Sequence, residues 1–193
     1  MSRITRAECP RHRACHRGRT QGFTLIELLV TIAIGVMLMV VAVPGFIDFR
    51  RNTHLSDAVS NFILASGTAK SAALKSGKNA FIAVNDTGAG WNSGWYVFLD
   101  NNWNDTYDVD TDEVLLRHEA LSTEVVATTP NTTTLTDGYV LFNGSGFPRS
   151  KTGSFGNGTL VMKVTGRTSY IYIDTSGRVR SCRAGVDTGC PLT

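Results

Sequence analysis

From Phe23 to Val43 the chain runs through 21 residues of which only one, Glu27, ionises. At about 1.5 Å per residue this stretch makes a helix of roughly 31 Å, enough to cross a hydrocarbon core of about 30 Å. Six arginines precede it (Arg3, Arg6, Arg11, Arg13, Arg17, Arg19), whereas Arg50 and Arg51 follow it. The bias of positive charge places the N-terminus on the cytoplasmic side and the remainder of the chain across the membrane. Two features go beyond what an anchor requires. A carboxylate costs on the order of 2.5–3.5 kcal/mol at mid-membrane and less near an interface, so Glu27 needs a reason. The basic segment is also longer than an anchor needs.

Arg19-Thr-Gln-Gly22 followed by Phe23-Thr-Leu-Ile-Glu27-Leu-Leu closely resembles the processing site of type IV prepilins and type II secretion pseudopilins. The resemblance implies that a prepilin peptidase removes residues 1–22 by cutting between Gly22 and Phe23, and methylates the new N-terminal Phe23. It also implies a single-pass protein of the bacterial inner membrane, with a periplasmic domain that reaches the cell surface if the filament carries it to a pilus tip. Other pilins or pseudopilins are the implied partners. Glu27 becomes the fifth residue of the mature chain and an assembly contact, where the α-amino group of a neighbouring subunit can pair with it. A plain signal anchor leaves Glu27 unexplained. A secretory signal needs a small-x-small site, which Val41-Ala-Val43-Pro44 matches poorly.

Removing the leader changes the charge balance. The whole chain carries +3, but the mature chain has thirteen basic against fifteen acidic side chains, a net of −2. Residues 84–137 hold ten acidic groups and only Arg117, whereas residues 149–193 hold seven basic groups against Asp174 and Asp187. Such a bipolar domain suits a polar partner at its C-terminal end, or subunits that dock by opposite charge. The cysteines divide likewise. Cys9 and Cys15 lie in the leader with His12 and His16, at a spacing that is not a standard zinc finger, and no metal role is assigned to them. Cys182 and Cys190 face an oxidising periplasm with seven residues between them, so a disulfide closing a short C-terminal loop is expected.

Four stretches follow from the sequence: the leader 1–22, a transmembrane helix 23–43, an exported helical half 44–76, and a β-rich domain 77–193. Pro44 predicts a kink rather than a necessary stop. The helical rhythm resumes in Phe46, Phe49, Leu55, Ala58, Val59, Phe62, Ile63, Ala65, Ala69, Ala72 and Ala73, one apolar stripe at three- and four-residue spacing. Gly77 supplies the stop after Lys70 and Lys75. Strands are expected at 80–84, 95–99, 114–117, 123–126, 139–143, 159–164, 169–174 and 178–183, rich in β-branched and aromatic residues between Gly, Asn, Asp and Ser turns.

Gly94-Trp-Tyr-Val-Phe-Leu-Asp100, Val114-Leu-Leu-Arg117, Val140-Leu-Phe-Asn-Gly-Ser-Gly-Phe-Pro-Arg149 and Ser176-Gly-Arg-Val-Arg180 look like the GspH/FimT branch of pilin-like proteins. This resemblance implies an α+β, type IV pilin-like fold: a long kinked N-terminal helix packed on an antiparallel β-rich domain. It implies a minor subunit of a type IV pilus or, alternatively, the minor pseudopilin of a type II secretion system.

The sharpest binding candidate is Gly177-Arg178-Val179-Arg180-Ser181-Cys182-Arg183. On a strand Arg178 and Arg180 share a face, Gly177 forms the turn that presents them, and Arg183 has the opposite parity. The planar guanidinium fork suits phosphate. Arg149, Lys151, Lys163 and Arg167 extend the patch if their strands are neighbours. In FimT-type minor pilins a Gly-Arg-x-Arg element at this end binds DNA, and this segment resembles it, which makes double-stranded DNA a candidate partner. Three phosphate contacts give a salt slope near −2.7, at about −0.9 per contact, so binding is weak, salt-sensitive and non-specific. The alternative is a solvated basic strand whose arginines pair with the acidic middle region. A second candidate, Asp100 to Glu113, resembles a calcium loop with Asp105 where glycine is required and Thr111 at the twelfth position, so an acidic solvated loop is the preferred reading. No catalytic residue and no cofactor are assigned: His54 and His118 stand in no nucleophile motif, and Gly144-Ser-Gly146 lacks the Gly-x-Ser-x-Gly elbow.

Overall fold

The computed structural model describes residues 22–130 and 134–190. The six leader arginines and Cys9, His12, Cys15 and His16 lie outside them. Among the described residues one α-helix, α1 (Leu25–Ser76), is followed by nine strands, with a short 3-10 helix (Gly90–Ser93) between the first two: β1 (Ala80–Val84), β2 (Trp95–Leu99), β3 (Glu113–His118), β4 (Val126–Thr128), β5 (Tyr139–Phe142), β6 (Pro148–Arg149), β7 (Gly158–Val164), β8 (Arg167–Ile173) and β9 (Val179–Arg183). The chain divides into two compact units at Val43/Pro44.

In the first unit α1 starts at Leu25 and is long and apolar enough to cross a membrane, with none of the side chains in its apolar window buried. A reciprocal cap opens it. Glu27 Oε2 accepts the Thr24 backbone N–H at 2.9 Å, and Thr24 Oγ1 accepts the Glu27 N–H at 3.3 Å. This is the Thr-x-x-Glu capping box, which satisfies two N–H groups that the first helical turn leaves without partners.

In the second unit the helix continues through Pro44 and buries Leu55, Ala58, Val59, Phe62, Ala65, Ala69 and Ala73. The stripe read from the sequence overreaches at its start, because Phe46 and Phe49 are 66% and 67% exposed and burial begins at Leu55. Phe62 packs edge-on to Trp91 at 5.3 Å and to Trp95 at 5.4 Å. Gly77 ends the helix at φ 69°, its N–H bonded to the Ala73 carbonyl.

The strands form two antiparallel sheets, one in the order β3-β2-β1-β5-β6 and one in the order β4-β7-β8-β9. Alternation decides which side chains meet the helix. Ile82, Trp95, Val97, Val140 and Phe142 of the first sheet join Leu160, Met162, Ile171 and Ile173 of the second in one core with α1. The opposite face of the first sheet has its own small core of Phe81, Phe98 and Leu141. A register shift between Val97 and Phe98 marks a bulge against β3. Two strand expectations need correction. The expected strand at 123–126 lies at Val126–Thr128, because a turn bond from the Val125 N–H to the Ser122 carbonyl bends the preceding residues. The two-residue β6 has no counterpart among the expectations.

Candidate functional site

The C-terminal hairpin is built around Asp174. Its backbone N–H bonds to the Arg178 carbonyl at 3.1 Å, and its carbonyl accepts the Gly177 N–H at 2.9 Å. Its Oδ1 accepts the N–H groups of Ser176 and Arg178 at 3.0 Å each, and also the Ser176 hydroxyl. That hydroxyl, then the Arg178 N–H, and last the charge of Arg180 hold the Asp174 carboxyl below the usual carboxylate range. Arg178 therefore belongs to the turn, one residue before β9 begins at Val179. The strand argument that gave Arg178 and Arg180 a common face does not apply.

Gly177 does more than turn the chain. It is buried at φ 76°, and a Cβ there would stand 2.4 Å from the Gly146 carbonyl oxygen. Its own carbonyl accepts Lys70 Nζ of α1 at 2.9 Å. The hairpin tip is thus wedged between the Gly144–Gly146 turn and the helix, a position that only glycine fits.

Beyond the turn, Arg180 sits opposite Tyr172 and Cys182 opposite Tyr170, on the outward face of the four-stranded sheet. Arg183 lies opposite Ser169, on the parity of the core-facing Val179, and is exposed because the strand end runs past the core. Arg178, Arg180 and Arg183 are all exposed. The four strands of this sheet contain Lys163, Arg167, Arg180 and Arg183 and no Asp or Glu. Arg149 and Lys151 do not extend the patch. Arg149 lies on β6 over the Phe155 ring, and Lys151 covers Phe81 and Tyr139 of the other sheet. The expected disulfide is present: Cys182 and Cys190 are joined, with Cα atoms 5.8 Å apart.

The alternative pairing of these arginines with the acidic middle region is not found. Among the described residues the ion pairs are Arg50 and Arg51 with Glu124, at 2.8 and 3.8 Å, and Arg51 with Asp48. The acidic loop is occupied with itself. Asp100 is fully buried and accepts the N–H groups of Trp103 at 2.7 Å and Asp105 at 3.0 Å. Asp112 accepts those of Asn101 and Asp108, and the side chains of Asn102 and Asn104 hold the Asp108 carboxyl below its ordinary range. Asp105 adopts φ 58° without being glycine, a conformation that Asp tolerates better than most residues. No group of three or more His, Cys, Asp or Glu among the described residues is placed to hold a metal ion.

The histidine on β3 is structural. His118 stacks on Trp95 at 4.3 Å and meets the Glu119 carbonyl and Asn61, so it is a packed side chain rather than a surface one. At the other end of the chain Gly22 and Phe23 are exposed ahead of the first helical turn. Sequence reasoning missed the Thr24–Glu27 box, whose Thr-x-x-Glu pattern was there to read. It also missed Lys70, whose contact with Gly177 spans 107 positions and leaves no local signal.

Comparison with known proteins places these features. The family model described as Type II transport protein GspH matches residues 58–179, and the Prokaryotic N-terminal methylation motif matches residues 17–43. The type IV major pilin protein PilA of Myxococcus xanthus is 44% identical over 43 residues, which is 22% of this chain and 20% of that protein. A fimbrial protein of Pseudomonas aeruginosa is 40% identical over 58 residues, covering 30% of this chain and 37% of its own. The chain thus spans between a fifth and about two fifths of the length of these relatives. The crystal structure of the Pseudomonas aeruginosa type IV minor pilin FimU superposes with a TM-score of 0.51 at 14% identity, over 68% of this chain and 90% of that one, which is a likeness of fold.

Proposed function

The chain belongs to the family of Type II transport protein GspH, and from that premise we propose that it is a minor subunit of a type IV pilus that holds DNA at its C-terminal hairpin. The family and its methylation motif make the protein a pilin-like structural subunit. In our reading prepilin peptidase cuts after Gly22 and methylates Phe23, the helix from Phe23 to Val43 holds the subunit in the inner membrane, and Glu27 makes the assembly contact with neighbouring pilins. One observation carries the DNA reading. Arg178, Arg180 and Arg183 are exposed and form no ion pair among the described residues, on a hairpin whose strands contain no acid and whose turn carries Asp174. Exposed guanidinium groups on a hairpin suit phosphodiester oxygens, and such contacts position a duplex without reading it.

The test is a gel shift with the full chain in detergent micelles, parent against Arg178→Gln with Arg180→Gln. Retention of duplex DNA is expected to fall in the variant and to weaken steeply with salt. Equal retention by parent and variant would sink the assignment. A second reading, minor pseudopilin of a type II secretion system, is favoured by the description of the family model itself. A deletion strain separates the two: loss of DNA uptake with intact secretion supports the pilus reading, and the reverse supports the pseudopilus.

A further inference from the structure

Tyr170 and Tyr172 stand on the outward face of β8, beside Val161 and Thr159 of β7 and opposite Cys182 and Arg180 of β9. Their ring planes are 10° apart, with centroids separated by 6.2 Å. Both tyrosines are half-buried, so each packs on the sheet and keeps part of its surface in solvent. Shallow depressions flank the Tyr172–Arg180 pair. One is lined by Asn157, Thr159 and Asp174, the other by Cys182, Thr188 and Gly189. Lys163 shares the outward parity at the far end of the same face.

Phosphate contact explains the arginines and leaves the tyrosines without a task. A base pair inside a duplex hides both of its faces in the stack, so a ring on a flat sheet has nothing to lie against. A single strand offers its bases directly, and aromatic rings set in a basic, acid-free sheet are the usual platform for them. We propose that this face takes single-stranded DNA, with bases laid on Tyr170 and Tyr172 and the intervening phosphate held by Arg180. The inference rests on the DNA reading above and specifies the form of the ligand. Stacking accepts any base, so no sequence preference accompanies it.

The experiment uses the full chain in detergent micelles and fluorescence anisotropy with one labelled oligonucleotide of mixed sequence, single-stranded or annealed to its complement. The parent should bind the single strand more tightly than the duplex. Tyr170→Leu with Tyr172→Leu keeps apolar bulk on the sheet and should weaken single-strand binding about tenfold or more, with little change on duplex. Tyr170→Phe with Tyr172→Phe keeps the rings and should bind like the parent. Arg180→Gln should weaken both forms. Equal affinity of the parent for both forms, with the Leu variant unchanged on each, overturns the stacking inference and leaves the DNA reading standing if Arg180→Gln still loses binding. No binding of either form by the parent overturns both.

Discussion

The two sheets share one core with the helix, but their outer faces are treated in opposite ways. The five-stranded sheet covers its outer face with its own chain: Phe81 and Phe98 stack at 5.0 Å, Tyr107 of the acidic loop lies across Tyr96 and Phe98, and Lys151 closes over Phe81 and Tyr139. Two of its carboxylates, Asp100 and Asp112, accept backbone N–H groups of the loop. The four-stranded sheet leaves Tyr170 and Tyr172 half-buried and Arg180 exposed, and its basic side chains form no ion pair among the described residues. Charge density alone would have marked the acidic loop as the reactive region. The lesson is that a charge cluster whose hydrogen bonds close internally is scaffolding, and the smaller cluster left open is where a ligand gains most.

Substitutions on the two faces test this contrast directly. Phe81→Ala on the covered face should cost about 3–5 kcal/mol in denaturant unfolding, as expected for a buried aromatic. Tyr172→Ala on the open face should cost about 1 kcal/mol or less, the scale of a cross-strand pair. Equal losses would erase the distinction between the faces. Replacing Cys182 and Cys190 by serine removes a cross-link closing a short loop, and the stability difference should be about 2–3 kcal/mol, read from melts with and without reductant. Gly177→Ala forces a side chain into a left-handed conformation against the Gly146 carbonyl, a penalty of roughly 1–2 kcal/mol from conformation alone, measurable in the same melts.

The smallest effect is on acid titration of the hairpin. The Asp174 carboxyl titrates below its unfolded value, so the stability it contributes is present at neutral pH and is lost as pH falls through that lowered pKa. Amide exchange at the Arg178 N–H should be flat relative to its neighbours down to the ordinary carboxylate range and lose protection only below it. Loss of protection above that range would show that the carboxylate does not hold the turn.

The sequence made much of this legible where the signal was local. The β-branched and aromatic runs between turn residues place β1 and β2 at 80–84 and 95–99, as observed, and the stripe Leu55 to Ala73 marks the buried side of α1. The Cys182–Cys190 spacing indicates the bridge. What stayed hidden depends on distant partners. Nothing in the strand pattern says that β4, β7, β8 and β9 form their own sheet, so whether the strand of Arg149 neighbours that of Arg180 cannot be read from it. The Asp174 bond to the Arg178 N–H moves Arg178 out of the strand, and a parity count cannot detect that. Tyr170 and Tyr172 lie in the strand expected at 169–174, but their place beside Arg180 needs the β8–β9 register.

The bond between Lys70 and the Gly177 carbonyl has a mechanical meaning. A tug on Arg178 by a long polymer would reach the Gly177 backbone after one peptide unit and pass from there to the helix through the ammonium group of Lys70. The load would bypass the ladder of β9, which, pulled from one end, opens one hydrogen bond at a time. If the hairpin holds a polymer as proposed, a tip anchored in this way would resist peeling, and tension on that polymer would be delivered to the helix.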